Sequence, residues 1–445
     1  MGERKELGRP LGPRRYDHKM SSMKPEQFFL NFIKAQKSGE DAGICSICSA
    51  NEFVLEAAME DGRDNGLMVL VEATANQVNQ YGGYTGMKPS DFMAFAMRTA
   101  KKVGLNEGQL ILGGDHLGPL TWQNESEESA MAKAQELITQ YVSSGFSKIH
   151  LDTSMRLADD SNTKRLPDST IARRAARLCA AAEAAAKEIK PVYVIGSEVP
   201  IPGGATENED SIAVTSADDL HSALITFKKA FMEKGLEDAW KRVVAVVVQP
   251  GVEFADNTII KYDPCKAEKL ISYAKGLAIV LEGHSTDYQP KAALSQMRRD
   301  GIAILKVGPA VTFALREALF ALEDMERVLY PFSPDGGYSY FRDTLEGKLM
   351  ADDKYWKKYY HGSLQDKAFA RKYSLSDRCR YYLDDAGIKD SIVRLIKNID
   401  IAAVPFGLIS QYFPEQKENI LLANGKVSAQ MLIKERIKGV IRTYR

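Results

Sequence analysis

Long apolar runs are missing from this 445-residue sequence. Nothing approaches the roughly 18 uninterrupted apolar residues of a spanning helix, and the opening MGERKELGRPLGPRRYDHK carries Arg and Lys with no apolar stretch behind it. That argues against an anchor or secretory leader; a cytoplasmic protein is expected, with residues 1–24 a disordered tail. Net charge is missing too. Lys plus Arg and Asp plus Glu both number 59, so no field of one sign is available to hold nucleic acid or an anionic membrane. Cysteine is sparse at five, and Cys45 and Cys48 alone stand close; with no second CxxC, they are expected to be small buried thiols rather than a redox pair or half a metal site. Neither a P-loop nor a kinase-type Gly loop is present, and no GxGxxG follows the first strand-like run, which argues against nucleotide chemistry and an open dinucleotide-binding sheet.

What is present is a rhythm. AGICSIC from Ala42, LMVLVEAT from Leu67, LILGGDH from Leu110, SKIHLDT from Ser147, VYVIGSEV from Val192, VVAVVVQP from Val243, LAIVLEGH from Leu277 and IAILKVGP from Ile302 are short β-rich runs, each followed by a helix-compatible stretch. They are nearly all-apolar rather than alternating, as parallel strands covered by helices should be. Eight such units predict a TIM (β/α)8-barrel over residues 25–325. Beyond about residue 325 the rhythm stops, and KYWKKYYHG and RKYSLSDRCRYYLDD read as a helical C-terminal extension over 326–445, a cap or interface.

Nearly every run ends in a polar residue, and in a barrel those ends converge on one mouth where active sites sit. His116, His150 and His284 lie there with Glu72, Asp115, Asp152, Glu198 and Glu282. So many carboxylates would repel one another without a cation, and a divalent metal is the simplest one to place among imidazoles and carboxylates: zinc, manganese, cobalt or nickel. His116 and His284 are the foremost ligand candidates. His150 and Asp152, two apart on one strand, face the same way, and one of them can orient a ligand. The glycine motifs GGYTG (Gly82–Gly86), PGG (Pro202–Gly204) and VGPA (Val307–Ala310) follow strands and suit close backbone approach or phosphate, the last just before a helix. SLSDR (Ser374–Arg378) reads either as a helix cap or as an arm that brings Ser374, Asp377 and Arg378 to a phosphate.

GICSICSA, EATANQVNQYGGYTGM, GGDHLGP, FSKIHLD, IGSEVPIPGG, VVVQPGVEF, EGHSTDYQ, AILKVGPA, TFALREALFAL, YWKKYY and YSLSDR stand in order along the chain. From about residue 28 to its end the sequence resembles the GatZ/KbaZ-type subunit family of class II tagatose-bisphosphate aldolase. The resemblance implies one of two activities. The first is that of a ketohexose 4-epimerase acting on tagatose and fructose or their 6-phosphates; the second is that of a non-catalytic subunit that stabilises a class II aldolase. More distant likeness to catalytic class II aldolases implies metal ligands after the third, sixth and seventh strands. Here these are His116, Gln249 and His284; because the sixth strand ends in an amide, Glu198 or Asp152 is an alternative third ligand.

Carbon 4 of a 2-ketohexose is β to the carbonyl and its proton is not acidic, so inversion calls for retro-aldol cleavage between carbons 3 and 4 and re-formation on the other face. Asp115 is the expected acid/base at the carbon-4 hydroxyl, Glu72 or Glu282 a second base or hydroxyl ligand, and Lys306 a neutraliser of phosphate or of the developing oxyanion. A Schiff-base role for Lys306 competes with the last. The implied partners are a ketose or ketose phosphate, a class II aldolase catalytic subunit, and a second copy of the chain in a homo-oligomer.

Overall fold

The computed structural model describes residues 24–161, 165–199, 212–422 and 427–445. The expected tail, apart from Lys24, and the Pro202–Gly204 motif lie outside the described residues.

Eight parallel strands close into a barrel in chain order: β1 (Ile44–Ile47), β2 (Val69–Thr74), β3 (Leu110–Leu117), β4 (Lys148–Leu151), β5 (Val192–Ile195), β6 (Val243–Val248), β7 (Val280–Gly283) and β8 (Ile302–Val307). β1 seals against β8, with Ile44 opposite Ile304 and Ile47 opposite Val307. Each strand is followed by its helix, from Glu52–Asn65 after β1 to Pro309–Leu329 after β8, so the expected TIM barrel is the observed fold. The helix signals are local. Asn51 caps the first by accepting from the Phe53 N–H, and Gly66 ends it at φ 64°; Ser126 caps Glu127–Ser143 through the Ser129 N–H.

The interior reads in layers because strand side chains alternate with a period of two. Ile44, Leu70, Ile111, Val192, Val280 and Ile304 belong to one apolar cluster with Phe28, Phe29, Phe32 and Ile33 of the helix Pro25–Lys37, which plugs the N-terminal end of the barrel. Two residues further along these strands the inward positions become Ser46, Glu72, Gly113, Glu282 and Lys306, joined by Lys148 at the start of β4, all buried. Gly113 is obligatory here: a Cβ on it would lie 2.4 Å from Glu72 Oε1. Two residues on again stand Cys48, Asp115, His150 and His284.

The C-terminal extension is helical as expected, with Phe341–Ala351, Leu364–Tyr373, Ala386–Ile401 and Ala429–Thr443 its longest elements. The boundary placed at 325/326 falls inside the helix Pro309–Leu329. Moreover, Ala429–Thr443 packs on both Pro309–Leu329 and Glu52–Asn65, the helices of the eighth and first units, and so joins the barrel's outer layer. Its end is tied in: Arg442 pairs with buried Asp61, Arg298 donates to the Tyr444 carbonyl at 2.8 Å, and the Tyr444 hydroxyl donates to the Thr286 carbonyl at 2.9 Å. No described helix is long and apolar enough to cross a membrane.

Candidate active site

The lower layer is an ion network. Lys148 Nζ lies 2.7 Å from Glu72 Oε1 and 2.8 Å from Glu282 Oε2, with none of the three side chains exposed. Lys306 Nζ contacts Glu72 and lies 2.9 Å from Asp115 Oδ1 and 3.6 Å from Glu282 Oε1. Carboxylate repulsion, read from sequence as demanding a cation, is therefore met in part by two internal lysines. Lys148 was overlooked, although its place two residues before His150 on the same strand puts it on the inward face. Lys306 is committed to carboxylates rather than free to meet a phosphate. Burial works against its charge, but Asp115 and its acidic neighbours hold its pKa well above the usual lysine range, which also opposes a Schiff-base role.

Above this network the rings of His116, His150 and His284 form a triangle, with centroids 4.9 to 5.2 Å apart. Each imidazole has a carboxylate: His116 Nδ1 with Asp152 Oδ2 at 2.7 Å, His150 Nδ1 with Asp115 Oδ1 at 2.8 Å, and His284 Nε2 with Glu282 Oε1 at 3.0 Å. His116 sits in the left-handed region at φ 48°, a conformation uncommon for residues other than glycine and one that clusters at functional sites. Burial raises Asp115 and would protonate it, but Lys306, His116 and His150 hold it well below the usual carboxylate range. Burial depresses His116, and Asp115 and Asp152 more than offset this, leaving it raised. His284 is pushed down to about 4, chiefly by burial, so its ring is neutral at pH 7.

These residues fit a divalent ion. Ligand atoms of Asp115, His150, Glu282 and His284 all lie within 4.8 Å of one another. His150 Nε2 is buried with no hydrogen-bond partner among the described residues, an orphaned donor or lone pair of the kind that a metal satisfies. The Asp152–His116 pair, a carboxylate holding an imidazole beside this group, gives Asp152 a positioning place, while His150 itself belongs to the candidate ligand group.

Of the expected ligands His284 belongs to this group, His116 adjoins it without being part of it, and two are not brought near. Glu198 accepts from Thr215 Oγ1 at 2.6 Å and pairs with Arg165 at 3.2 Å, on the wall of a separate small cavity. Gln249 turns its amide oxygen back onto the backbone N–H groups of Gly251 and Val252, at 2.8 and 3.1 Å, so its oxygen braces a turn. The SLSDR arm is likewise structural. Ser374 donates to Asp256 Oδ1 at 2.6 Å, Asp377 accepts from Thr312 at 2.7 Å and pairs with Arg316 at 3.1 Å, and Arg378 donates to the Tyr355 carbonyl while lying over the Tyr359 ring. It clamps the extension onto the helix Pro309–Leu329. The residue that does reach the mouth lies two positions beyond it, Arg380.

The mouth holds a cavity of about 90 Å³, lined among others by Cys48, Asp115, His116, His284, Lys306 and Arg380. GGYTG contributes through conformation: Gly83, at φ 56°, has no room for a Cβ, which would lie 2.3 Å from the Gln77 carbonyl, and the turn presents Tyr84 to the cavity against Tyr381. Asp287, another wall residue not singled out from sequence, accepts from the N–H groups of Gly308 and Ala310. Burial lifts it to about 6 despite those two bonds. Cys48 and Cys45 are free thiols, half-buried rather than fully buried, and Cys48 stands with Glu72 and Asp115 in a second group of possible ligands; its sulfur lies 3.6 Å from Asp115 Oδ2, and its pKa is pushed up by desolvation.

A closed parallel barrel with a histidine, carboxylate and lysine mouth places the chain among aldolase-like barrel proteins. Residues 29–445 match the model of the family described as D-tagatose-1,6-bisphosphate aldolase subunit GatZ/KbaZ-like, and the chain belongs to that family. Two Escherichia coli relatives, both named D-tagatose-1,6-bisphosphate aldolase subunit GatZ, are 47% identical over 418 residues and 46% over 419; each alignment covers 93% of this chain and 98% of the relative. The solved structure of a protein described as a probable tagatose 6 phosphate kinase, from Sinorhizobium meliloti 1021, is 41% identical with a TM-score of 0.82, covering 90% of this chain and 99% of that one.

Proposed function

We propose that the chain is a Z-type subunit that works beside the catalytic subunit of a class II tagatose-bisphosphate aldolase. The carrying observation is near-full-length similarity to relatives bearing that subunit's name. The kinase description of the Sinorhizobium protein finds no counterpart in this sequence, which has no P-loop.

One feature of the mouth favours a second reading, a metal-dependent ketohexose 4-epimerase: a subunit with a purely scaffolding role has no use for Asp115, Glu72, Glu282 and the three histidines buried together at the strand ends. His150 and His284 would hold the ion with a carboxylate, His116 standing beside them, and a bound ion supplies Lewis acidity at the ketose carbonyl. Asp115, resting as a carboxylate, takes the proton of the carbon-4 hydroxyl. As that oxygen becomes an aldehyde, the bond between carbons 3 and 4 breaks and its electrons pass to the carbonyl of the three-carbon fragment, giving an ene-diolate. The aldehyde turns, the bond re-forms on its other face, and Asp115 returns the proton. Lys306, beside Asp115, steadies its charge in both directions.

The test is to incubate the purified chain, with and without divalent metal, with tagatose, fructose and their 6-phosphates, and then to add a class II aldolase catalytic subunit. Epimer formed by the chain alone supports the second reading. No turnover alone, with a longer aldolase half-life in the mixture, supports the first. Deuterium from solvent water at carbon 4 would exclude the retro-aldol route.

A further inference from the structure

The helix Pro309–Leu329 begins at the barrel mouth immediately after β8. In barrels of this kind, a helix start beside the loops after the seventh and eighth strands commonly receives a phosphate, because its N–H groups and dipole favour an anion. Here that position is already filled. The N–H groups of Gly308 and Ala310 donate to Asp287 Oδ1 at 3.0 and 2.8 Å, and Pro309 between them has no N–H to offer. Asp287 is not loosely placed. Thr286 Oγ1 donates to the Lys306 carbonyl at 2.5 Å, the Tyr444 hydroxyl donates to the Thr286 carbonyl, and Asp287 itself is 3% exposed. Yet Asp287, Gly308 and Pro309 wall the same cavity as His116 and His284.

We propose that Asp287 closes the phosphate cradle of this barrel. It makes the cavity selective for a ketose whose end against β8 carries a free hydroxyl: an unphosphorylated ketohexose, or one phosphorylated at its other end, rather than a ketose bisphosphate. The inference rests on the reading of the mouth as a ketose site. The chemistry is that of one anion excluding another. A phosphate arriving at the helix start would find its two donors taken and a carboxylate facing it. A hydroxyl finds an acceptor, since a carboxylate offers about four lone-pair positions and two are used. Arg380 walls the same cavity, and its guanidinium lies on the Ser376 and Asp377 carbonyls and the Tyr381 hydroxyl, with no carboxylate within ion-pair distance among the described residues. It is the group through which a phosphate would bind if the inference were wrong.

The test is calorimetric titration of the full chain, loaded with divalent metal, with inorganic phosphate, a ketohexose, its 1- and 6-monophosphates and its 1,6-bisphosphate. Asp287→Ser and Asp287→Asn are titrated alongside the wild type. The wild type is expected to bind the ketohexose and one of the two monophosphates at least 100-fold more tightly than the bisphosphate, and to show no inorganic phosphate binding. Asp287→Ser, which vacates the cradle, should bring that ratio below tenfold and gain phosphate binding; Asp287→Asn, which keeps an acceptor on the two N–H groups, should gain none. Bisphosphate binding by the wild type as tight as that of the monophosphate would overturn the proposal, as would a Ser variant that weakens every ligand equally. Should no sugar bind the wild type, the ketose-site reading fails separately, while gain of inorganic phosphate by Asp287→Ser still decides whether the carboxylate closes the cradle. If the Ser variant does not fold, the wild-type ratio and the Asn variant decide it.

Discussion

Lys148→Met removes the cation at the centre of the barrel and leaves the side-chain volume nearly unchanged. Lys148 is fully buried, 2.7 Å from Glu72 and 2.8 Å from Glu282, so the variant leaves two buried carboxylates with Lys306 as their remaining counter-ion. Breaking a buried ion pair from one side costs about 3–5 kcal/mol, because a charge stays behind without compensation. At about 2.1 cal/mol/K of unfolding entropy per residue, 445 residues give roughly 0.9 kcal/mol/K, so the melting temperature should fall by only about 3–5 °C, and urea unfolding is the more telling assay. The loss should also depend on pH. In the native protein burial raises Glu282, but Lys148 and Lys306 hold it well below the ordinary carboxylate value. Its pairing therefore contributes stability that is present above the unfolded value, near 4.5, and is lost as pH falls through the lower folded value. The difference between wild type and Lys148→Met should thus be full at pH 7 and shrink below about pH 4.5, and Glu282→Gln in the same chain should restore part of it. A loss under 1 kcal/mol at pH 7, or one that does not change between pH 7 and 4, would refute the claim that Lys148 compensates these carboxylates.

His150→Gln should lower bound divalent metal, measured by elemental analysis after dialysis, while the circular dichroism spectrum is kept; undiminished metal would remove His150 from the ligand group. Gly113→Ala, whose new Cβ would stand 2.4 Å from Glu72 Oε1, should cost about 1–3 kcal/mol in urea unfolding by overpacking. Asp377→Ala leaves buried Arg316 without its carboxylate and should cost about 3–5 kcal/mol with sugar affinity unchanged by titration, since the SLSDR segment clamps rather than binds. Equal stability with weaker ligand binding would reverse that assignment.

The barrel was legible because each strand is a short apolar run ended by a polar residue, and eight such runs admit few other architectures. The mouth was half legible. Asp115, His116, His150, His284, Glu72, Glu282 and Lys306 converge as the strand ends imply. Glu198 and Gln249 misled because position at a strand end says where a side chain begins, not where it turns, and Gln249 turns onto Gly251 and Val252. Lys148 escaped notice because a lysine at the start of an apolar run looks like an exposed flank; the period of two would have placed it inward. Asp287 and Arg380 had no local signal. Each acts through a contact with a segment more than 20 residues away or through a cavity wall that only the closed barrel assembles.

The ion network also decides which way Asp115 works. A carboxyl buried among apolar walls would rest protonated and serve first as an acid. Asp115 is instead held deprotonated by Lys306 at 2.9 Å, by His116 and by the His150 ring at 2.8 Å, with the Cys48 thiol 3.6 Å away. In the epimerase reading it must therefore act first as a base, and retro-aldol cleavage begins with just that need, removal of the carbon-4 hydroxyl proton. Lys306→Met should then abolish carbon-4 epimerisation at pH 7 far more than it weakens sugar binding, since its loss frees Asp115 to hold a proton. A variant that kept turnover but lost affinity would assign Lys306 to the substrate instead.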